Sequence, residues 1–129
     1  MIWEGVIKDI DKYTGFVYII TNISNQRYYI GQKKFWKIEK KKPLKGKKRR
    51  RWVKKESDWQ TYYGSCEELT NDVKLFGDWN FSREIVRLCK TKSEMNYYEA
   101  KLQFEMDVLF DDRSYNRLIN CKINARTLR

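Results

Sequence analysis

At 129 residues with a net charge of +11 and no histidine, the chain is sized for one domain around a single modest core. The missing histidine excludes a Ser-His-Asp triad, a His-based zinc finger and a histidine-metal nuclease motif, leaving Tyr, Lys, Glu, Asp or a metal-bound water for acid–base work. No apolar run approaches the ~18–20 residues that cross a bilayer, and the start, Met1-Ile2-Trp3-Glu4, lacks a basic-then-apolar leader pattern.

The cysteines, Cys66, Cys89 and Cys121, are odd in number and form no C-x-x-C pair. A disulfide framework or zinc ribbon is therefore unsupported, and buried or neutral thiols in a reducing cytoplasm are expected.

In chain order, residues 1–14 read as a leader strand or irregular arm, with Trp3, Val6, Ile7 and Ile10 available for packing. A hairpin is expected over 16–22 and 28–33, rich in aromatic and β-branched residues around the turn Ser24-Asn25-Gln26-Arg27. It holds Tyr18 and Tyr29, two phenols that a hairpin can set side by side. Phe35, Trp36 and Ile38 then form an apolar anchor, and order returns at Ser57-Asp58-Trp59, where Ser57 or Asp58 can cap a short turn.

A helix is predicted over about 66–76 from Leu69, Val73 and Phe76, ended by Gly77. Phe81 to Leu88 reads as a third strand with imperfect alternation. A long helix follows over about 92–110, with Ser93 before its first turn and Met95, Tyr98, Leu102, Met106 and Leu109 as its apolar stripe; Asp111-Asp112 stops it. A basic, loose tail ends the chain. The order ββ, basic loop, α, β, α predicts an α+β fold: a small, mostly antiparallel three-stranded sheet flanked by helices, as one domain over 1–129.

Charge is unevenly spread. Residues 37–55 hold twelve of the 28 basic side chains and one acid, Glu39, so the whole excess of +11 lies there and the remainder is balanced. Such a segment repels itself, and an exposed basic insert at about 37–56, as a loop or helix edge, is expected to await a polyanion. Lys45, Lys47, Lys48, Arg49, Arg50, Arg51 and Trp52 are the candidate nucleic-acid contacts, with Trp36 and Trp52 able to stack on bases or sugars. A nuclear-localisation or lipid-binding patch is the duller reading.

The pattern Phe16-Val17-Tyr18 followed by Tyr29-Ile30-Gly31 resembles the two-part signature of the GIY-YIG nucleases, with Phe16 at the place of the first glycine. The likeness continues through Tyr63-Gly64-Ser65 before a helix, Phe81-Ser82-Arg83-Glu84-Ile85 as a strand, Glu99 on a long helix and Tyr115-Asn116 near the end. Within that family it is most similar to small phage-encoded, SegE-like homing endonucleases, which carry a comparable basic insert.

That resemblance implies metal-dependent cleavage of double-stranded DNA, in the host cytoplasm if the chain is phage-encoded. Tyr18 would be the general base on water, Tyr29 would position water or phosphate, Glu99 would be the sole carboxylate on one Mg²⁺ (or Mn²⁺), and Asn116 would support the site. Lys33, Lys34 and a guanidinium would draw the Tyr18 phenolate below its ordinary pKa of about 10. The family's arginine position falls on Glu39, which leaves Arg49, Arg50 or Arg51 as candidates, and Tyr63 stands where a histidine is usual. Ser65 is either a helix cap or a phosphate ligand. Arg83 either faces the DNA backbone or solvates a strand.

Two other classes compete. One is a non-catalytic nucleic-acid-binding protein in which the basic segment does everything. The other is a restriction-type nuclease built on Glu99-Ala100-Lys101 with Asp72 or Asp78, disfavoured because that triplet needs a strand. A single site makes one nick, so double-strand cutting needs a homodimer or two events by a monomer.

Overall fold

The alternating apolar side chains around Tyr18 do form a hairpin, β1 (Gly15–Asn22) and β2 (Tyr28–Lys34), within a computed structural model that describes residues 3–5 and 8–128. Val6 and Ile7 of the expected leader lie outside the described residues. Asn22 closes the turn: its N–H donates to the Arg27 carbonyl at 2.7 Å, its carbonyl accepts from Gln26 at 2.8 Å, and its Oδ1 accepts from Ser24 N–H at 3.1 Å. Residues 3–5 form a short arm whose Glu4 bridges Glu84 in parallel, with Trp3 buried in the core.

The insert departs from the expected loop or helix edge. It is an antiparallel ribbon of β3 (Trp36–Lys41) and β4 (Arg51–Glu56). Its register puts Lys37 opposite Lys55 and Lys41 opposite Arg51, with Glu39 between them. Glu39 bonds Lys37 at 3.1 Å and Lys41 at 2.9 Å, which relieves the like-charge repulsion on that face. On the other face the Lys54 ammonium lies 4.2 Å from the centre of the Trp36 ring and that of Lys40 lies 5.4 Å from Trp52. A turn at Leu44–Lys47 (N–H to carbonyl, 2.8 Å) places Gly46 at φ +82°, the left-handed value that suits glycine there.

The strand expected over 81–88 is β5 (Phe81–Cys89), which joins the far side of β1 to give the antiparallel order β2-β1-β5. Its imperfect alternation has a local cause. A bulge falls where Val17 pairs Arg87 but Tyr18 pairs Ile85, leaving Val86 half-exposed and switching the inward face from Phe81, Arg83 and Ile85 to Leu88.

The sheet separates two apolar clusters. One gathers Phe16, Tyr18, Ile20, Phe35, Trp59 and Leu69, with Leu69 supplied by α1 (Glu67–Phe76). The other gathers Val17, Tyr28, Ile30, Cys89, Met95 and Val108, with Met95 supplied by α2 (Lys92–Glu105). Helices flanking a three-stranded antiparallel sheet, beside a second small sheet, make the α+β fold that the element order predicts.

α2 is shorter than the expected 92–110. Thr91, not Ser93, caps it by accepting from Glu94 N–H at 3.1 Å. At its end Asp107 turns left-handed at φ 49°, and the Val108 and Asp107 N–H groups bond the Gln103 and Phe104 carbonyls at 3.2 and 3.1 Å, a Schellman stop. Of the expected stripe Met95 is buried but Met106 and Leu109 are exposed, and Ala100 and Gln103, not expected there, are buried. The C-terminal segment runs beside the start of α2: Asn96 Nδ2 donates to the Lys122 carbonyl at 3.1 Å, and Thr127 in α3 (Ala125–Leu128) meets the Ser93 hydroxyl at 2.6 Å.

The cysteines are free thiols. Cys89 is buried, and that burial pushes its pKa up to about 12, whereas Cys121 is exposed. Among the described residues no helix is long and apolar enough to cross a membrane.

Candidate active site

Tyr18 lies on the central strand opposite Gly31 of the edge strand β2. Its ring is buried, edge-on to Trp3 at 5.3 Å and to Tyr62 at 6.1 Å, and tilted against Tyr29 at 6.2 Å. Its hydroxyl crosses the β2 backbone where Gly31 has no side chain: a Cβ there would stand 2.5 Å from the Tyr18 oxygen. That close approach is the physical need for glycine in Tyr29-Ile30-Gly31.

Glu99 reaches the same place from the other face of the sheet. Met95, Glu99 and Gln103 recur every fourth residue along one side of α2. Met95 is buried against the sheet, and Gln103 donates to the Ile30 carbonyl at 3.1 Å. Glu99, between them, comes out at the β2 edge. Tyr18, Tyr29, Ser65, Glu99, Gln103 and Arg117 line one cavity of about 410 Å³.

Burial raises the Glu99 pKa, opposed by a hydrogen bond from Gln32 and the charge of Lys92. Gln32 also donates to Asn96 Oδ1 at 2.9 Å and accepts from Lys92 Nζ at 2.5 Å, so one amide orients three neighbours of the site.

Burial also holds Tyr18 well above the ordinary tyrosine value, and Tyr62, Tyr29 and Glu99 push the same way. The expected lowering by nearby cations is therefore overturned for the free protein. The Lys33 ammonium is engaged by Asp58 at 2.7 Å and sits 4.0 Å from the centre of the Tyr62 ring. Tyr29 is raised too, by burial first, against a hydrogen bond from the Ser65 hydroxyl. Ser65 thus faces Tyr29 within the cavity, and the N-cap position of α1 falls to Cys66, without a side-chain cap bond.

Asn116 is buried and lines the cavity, with its amide turned to β2. Its Oδ1 accepts from Ile30 N–H at 3.0 Å and its Nδ2 donates to the Ile30 carbonyl at 2.9 Å. It serves as a one-residue strand partner that satisfies the sheet edge.

Other expected site residues lie elsewhere. Arg51 pairs Lys41 at the distal end of the ribbon, and Lys45, Lys47, Lys48, Arg49 and Arg50 form the exposed turn beyond it. Trp52 is exposed on the ribbon face, and Lys34 lines a separate groove.

Tyr63 lies under Arg83, 4.3 Å from ring centre to guanidinium, while its neighbour Tyr62 is the one against Tyr18. Arg83 neither faces solvent nor offers a DNA contact. It is 1% exposed and donates to the Gln60 and Tyr62 carbonyls at 3.1 and 2.9 Å, fixing the loop that carries Tyr62.

Glu99-Ala100-Lys101 lies in a helix, and Asp72 is spent on the Tyr115 hydroxyl at 2.6 Å, so the restriction-type arrangement does not form. The residues that the sequence reading passed over are Gln32, Tyr62, Gln103 and Arg117. Each stands next to, or one helical turn from, a residue it did identify. The guanidinium lining the cavity is Arg117, which follows Tyr115-Asn116 directly and pairs with Glu68 at 3.3 Å.

Comparison with known proteins agrees with this geometry. Residues 3–122 match the family model described as "Putative endonuclease segE, GIY-YIG domain". No curated protein and no solved structure matches the chain. With the match spanning nearly the whole chain and the paired tyrosines meeting a helical glutamate at one cavity, the chain belongs to the SegE-type GIY-YIG endonuclease family.

Proposed function

We propose that the chain, acting as one domain in the cytoplasm, hydrolyses a phosphodiester bond of double-stranded DNA with Tyr18 as general base and Glu99 as the carboxylate on one divalent metal. The observation that carries this reading is the convergence of Tyr18, Tyr29 and Glu99 on one cavity from opposite faces of the sheet.

The donors suit Mg²⁺ or Mn²⁺. Glu99 offers a carboxylate without an ion pair among the described residues, and Gln103 Oε1 is buried with no hydrogen-bond partner there. Hard oxygen donors with room for water and a phosphate oxygen are the usual set for such ions. A bound ion would stabilise the departing oxygen.

The chain's own groups do the rest. Tyr18, a neutral phenol in the free protein, first gives up its own proton to solvent as cationic charge brought with the substrate favours the phenolate, and the phenolate then takes the proton of the attacking water. Tyr29, held by Ser65, orients water or phosphate. Arg117 neutralises the charge that builds on the phosphoryl oxygens. The ribbon, with Lys45 to Arg51 at its tip and Trp52 on its face, is proposed to contact the duplex, since a two-stranded ribbon fits the major groove.

Plasmid cleavage with Mg²⁺ tests this. Tyr18→Phe and Glu99→Gln are each expected to lower the rate by at least about a hundredfold. Glu99→Gln should also abolish any Mg²⁺-dependent rise in melting temperature. Activity retained in Tyr18→Phe but lost in Glu99→Gln would refute the tyrosine base. A wild type that binds DNA but never cuts it, across metals, would leave only nucleic-acid binding.

A further inference from the structure

A second and larger concavity, about 840 Å³, opens between the base of the ribbon, the turn at Ile10–Lys12 and the start of α2. Seven lysines line it: Lys12, Lys33, Lys34, Lys37, Lys54, Lys90 and Lys92. These residues are scattered through the chain, and all but Lys37 and Lys54 lie outside the basic segment that dominates the composition.

Two acids share the walls, Asp11 and Asp58, and Asp58 is taken by Lys33 at 2.7 Å. Lys12 and Lys37 have partners in Asp9 at 3.6 Å and Glu39 at 3.1 Å. Among the described residues Lys34, Lys54, Lys90 and Lys92 have no ion pair. Burial and the Lys34 charge lower the Lys92 pKa, opposed by the charge of Glu99 where the groove meets the active-site cavity. One wall is tied across the groove: Trp36 Nε1 donates to the Tyr13 carbonyl at 3.2 Å.

This groove leads into the active-site cavity. Gln32 lines both, and a saddle of about 410 Å³ between them is lined by Gln32, Lys92, Asn96 and Glu99. A chain of phosphates lying along the lysines would pass Gln32 and arrive at Glu99.

We infer that this groove binds the phosphodiester backbone of the DNA strand being cut, next to the bond presented to Tyr18 and Glu99, as a phosphate track distinct from the ribbon tip. The inference rests on the endonuclease reading for the identity of the strand. DNA is the occupant because a row of amines opening onto a phosphodiesterase cavity matches a continuous polyanion.

The experiment measures duplex binding by full-length protein as a function of salt in a Glu99→Gln background, so that no cleavage intrudes. Lys34→Gln, Lys54→Gln and Lys90→Gln together are expected to flatten the log K against log salt slope by about 2 to 3, at roughly 0.9 per phosphate contact. Lys34→Arg, Lys54→Arg and Lys90→Arg together should restore it. All three side chains are exposed, and an unchanged melting temperature confirms folding.

In a background with Glu99 intact, the glutamine triple should also cut more slowly. A tip variant with Lys45, Lys47 and Lys48 changed to Gln should lose slope independently of the groove variant, so that the two losses add. An unchanged slope in the groove triple overturns the track even if the wild type cleaves DNA. A flattened slope in a protein that never cleaves upholds the track and sinks the endonuclease reading instead.

Discussion

A methyl group on Gly31 would stand 2.5 Å from the Tyr18 hydroxyl and 2.9 Å from the Tyr29 ring, closer than real Cβ atoms approach. Gly31→Ala is therefore expected to push the two phenols apart. A displacement of ~1 Å at a reacting group costs about a hundredfold in rate, and overpacking here costs roughly 1–3 kcal/mol of stability. Single-turnover cleavage and denaturant unfolding read both quantities. An unchanged rate would show that the Tyr18 hydroxyl takes no part in the reacting geometry. Asn116 and Gln103 work at the same scale, because their amides fasten Ile30 and thereby hold Gly31 where the hydroxyl crosses.

At the scale of elements the ribbon has the most to explain, since a strand pair carrying Lys37 opposite Lys55 and Lys41 opposite Arg51 should repel itself. Glu39 sits between the two pairs. Its lysine partners hold its pKa down, to about 2. A folded pKa below the unfolded value means that the stabilisation is present above about pH 4.5 and is lost as pH falls toward 2.

Relative to the unstructured rate at each pH, amide exchange at Val53, opposite Glu39, is expected to become faster over that window. Glu39→Gln should reproduce the faster exchange at neutral pH while leaving β1 and β2 protected. Equal protection in wild type and Glu39→Gln would show that the aromatic face alone holds the ribbon. The segment was legible as exposed and basic, but not as a hairpin, because its pairing depends on one acid and two indoles whose cross-strand partners are set only by register.

For the whole molecule, a single candidate active-site cavity among the described residues predicts one cut per binding event. Supercoiled plasmid is expected to accumulate as open circle before linear product appears, at enzyme concentrations where the protein is monomeric by sedimentation. Linear product appearing without an open-circle intermediate would require two chains to act together. The two phosphate tracks also differ at this scale: the tip is a local concentration of charge, whereas the groove is assembled by the fold from lysines far apart in sequence.

Much of this was readable from residue order. The hairpin and α1 follow local periodicity closely and β5 does so up to its bulge, and the lack of histidine, the paired tyrosines and a helical glutamate at Glu99 already point to the proposed chemistry. The neighbours of these residues were not readable. Tyr62 or Tyr63 could each have met Tyr18, and the buried Arg83 selects between them by holding the Gln60 and Tyr62 carbonyls. The long helix read past its end because apolar residues continue to Leu109, while a left-handed Asp107 and the burial of Val108 stop it.

Sequence by itself determined which side chains are present and the local period of each element, since those depend on near neighbours along the chain. Only the tertiary structure decided that opposite faces of the sheet meet at the β2 edge, that the cavity's guanidinium is Arg117, and that seven lysines from separate parts of the chain share a groove. Strand order and register are long-range pairings, and no local pattern carries them.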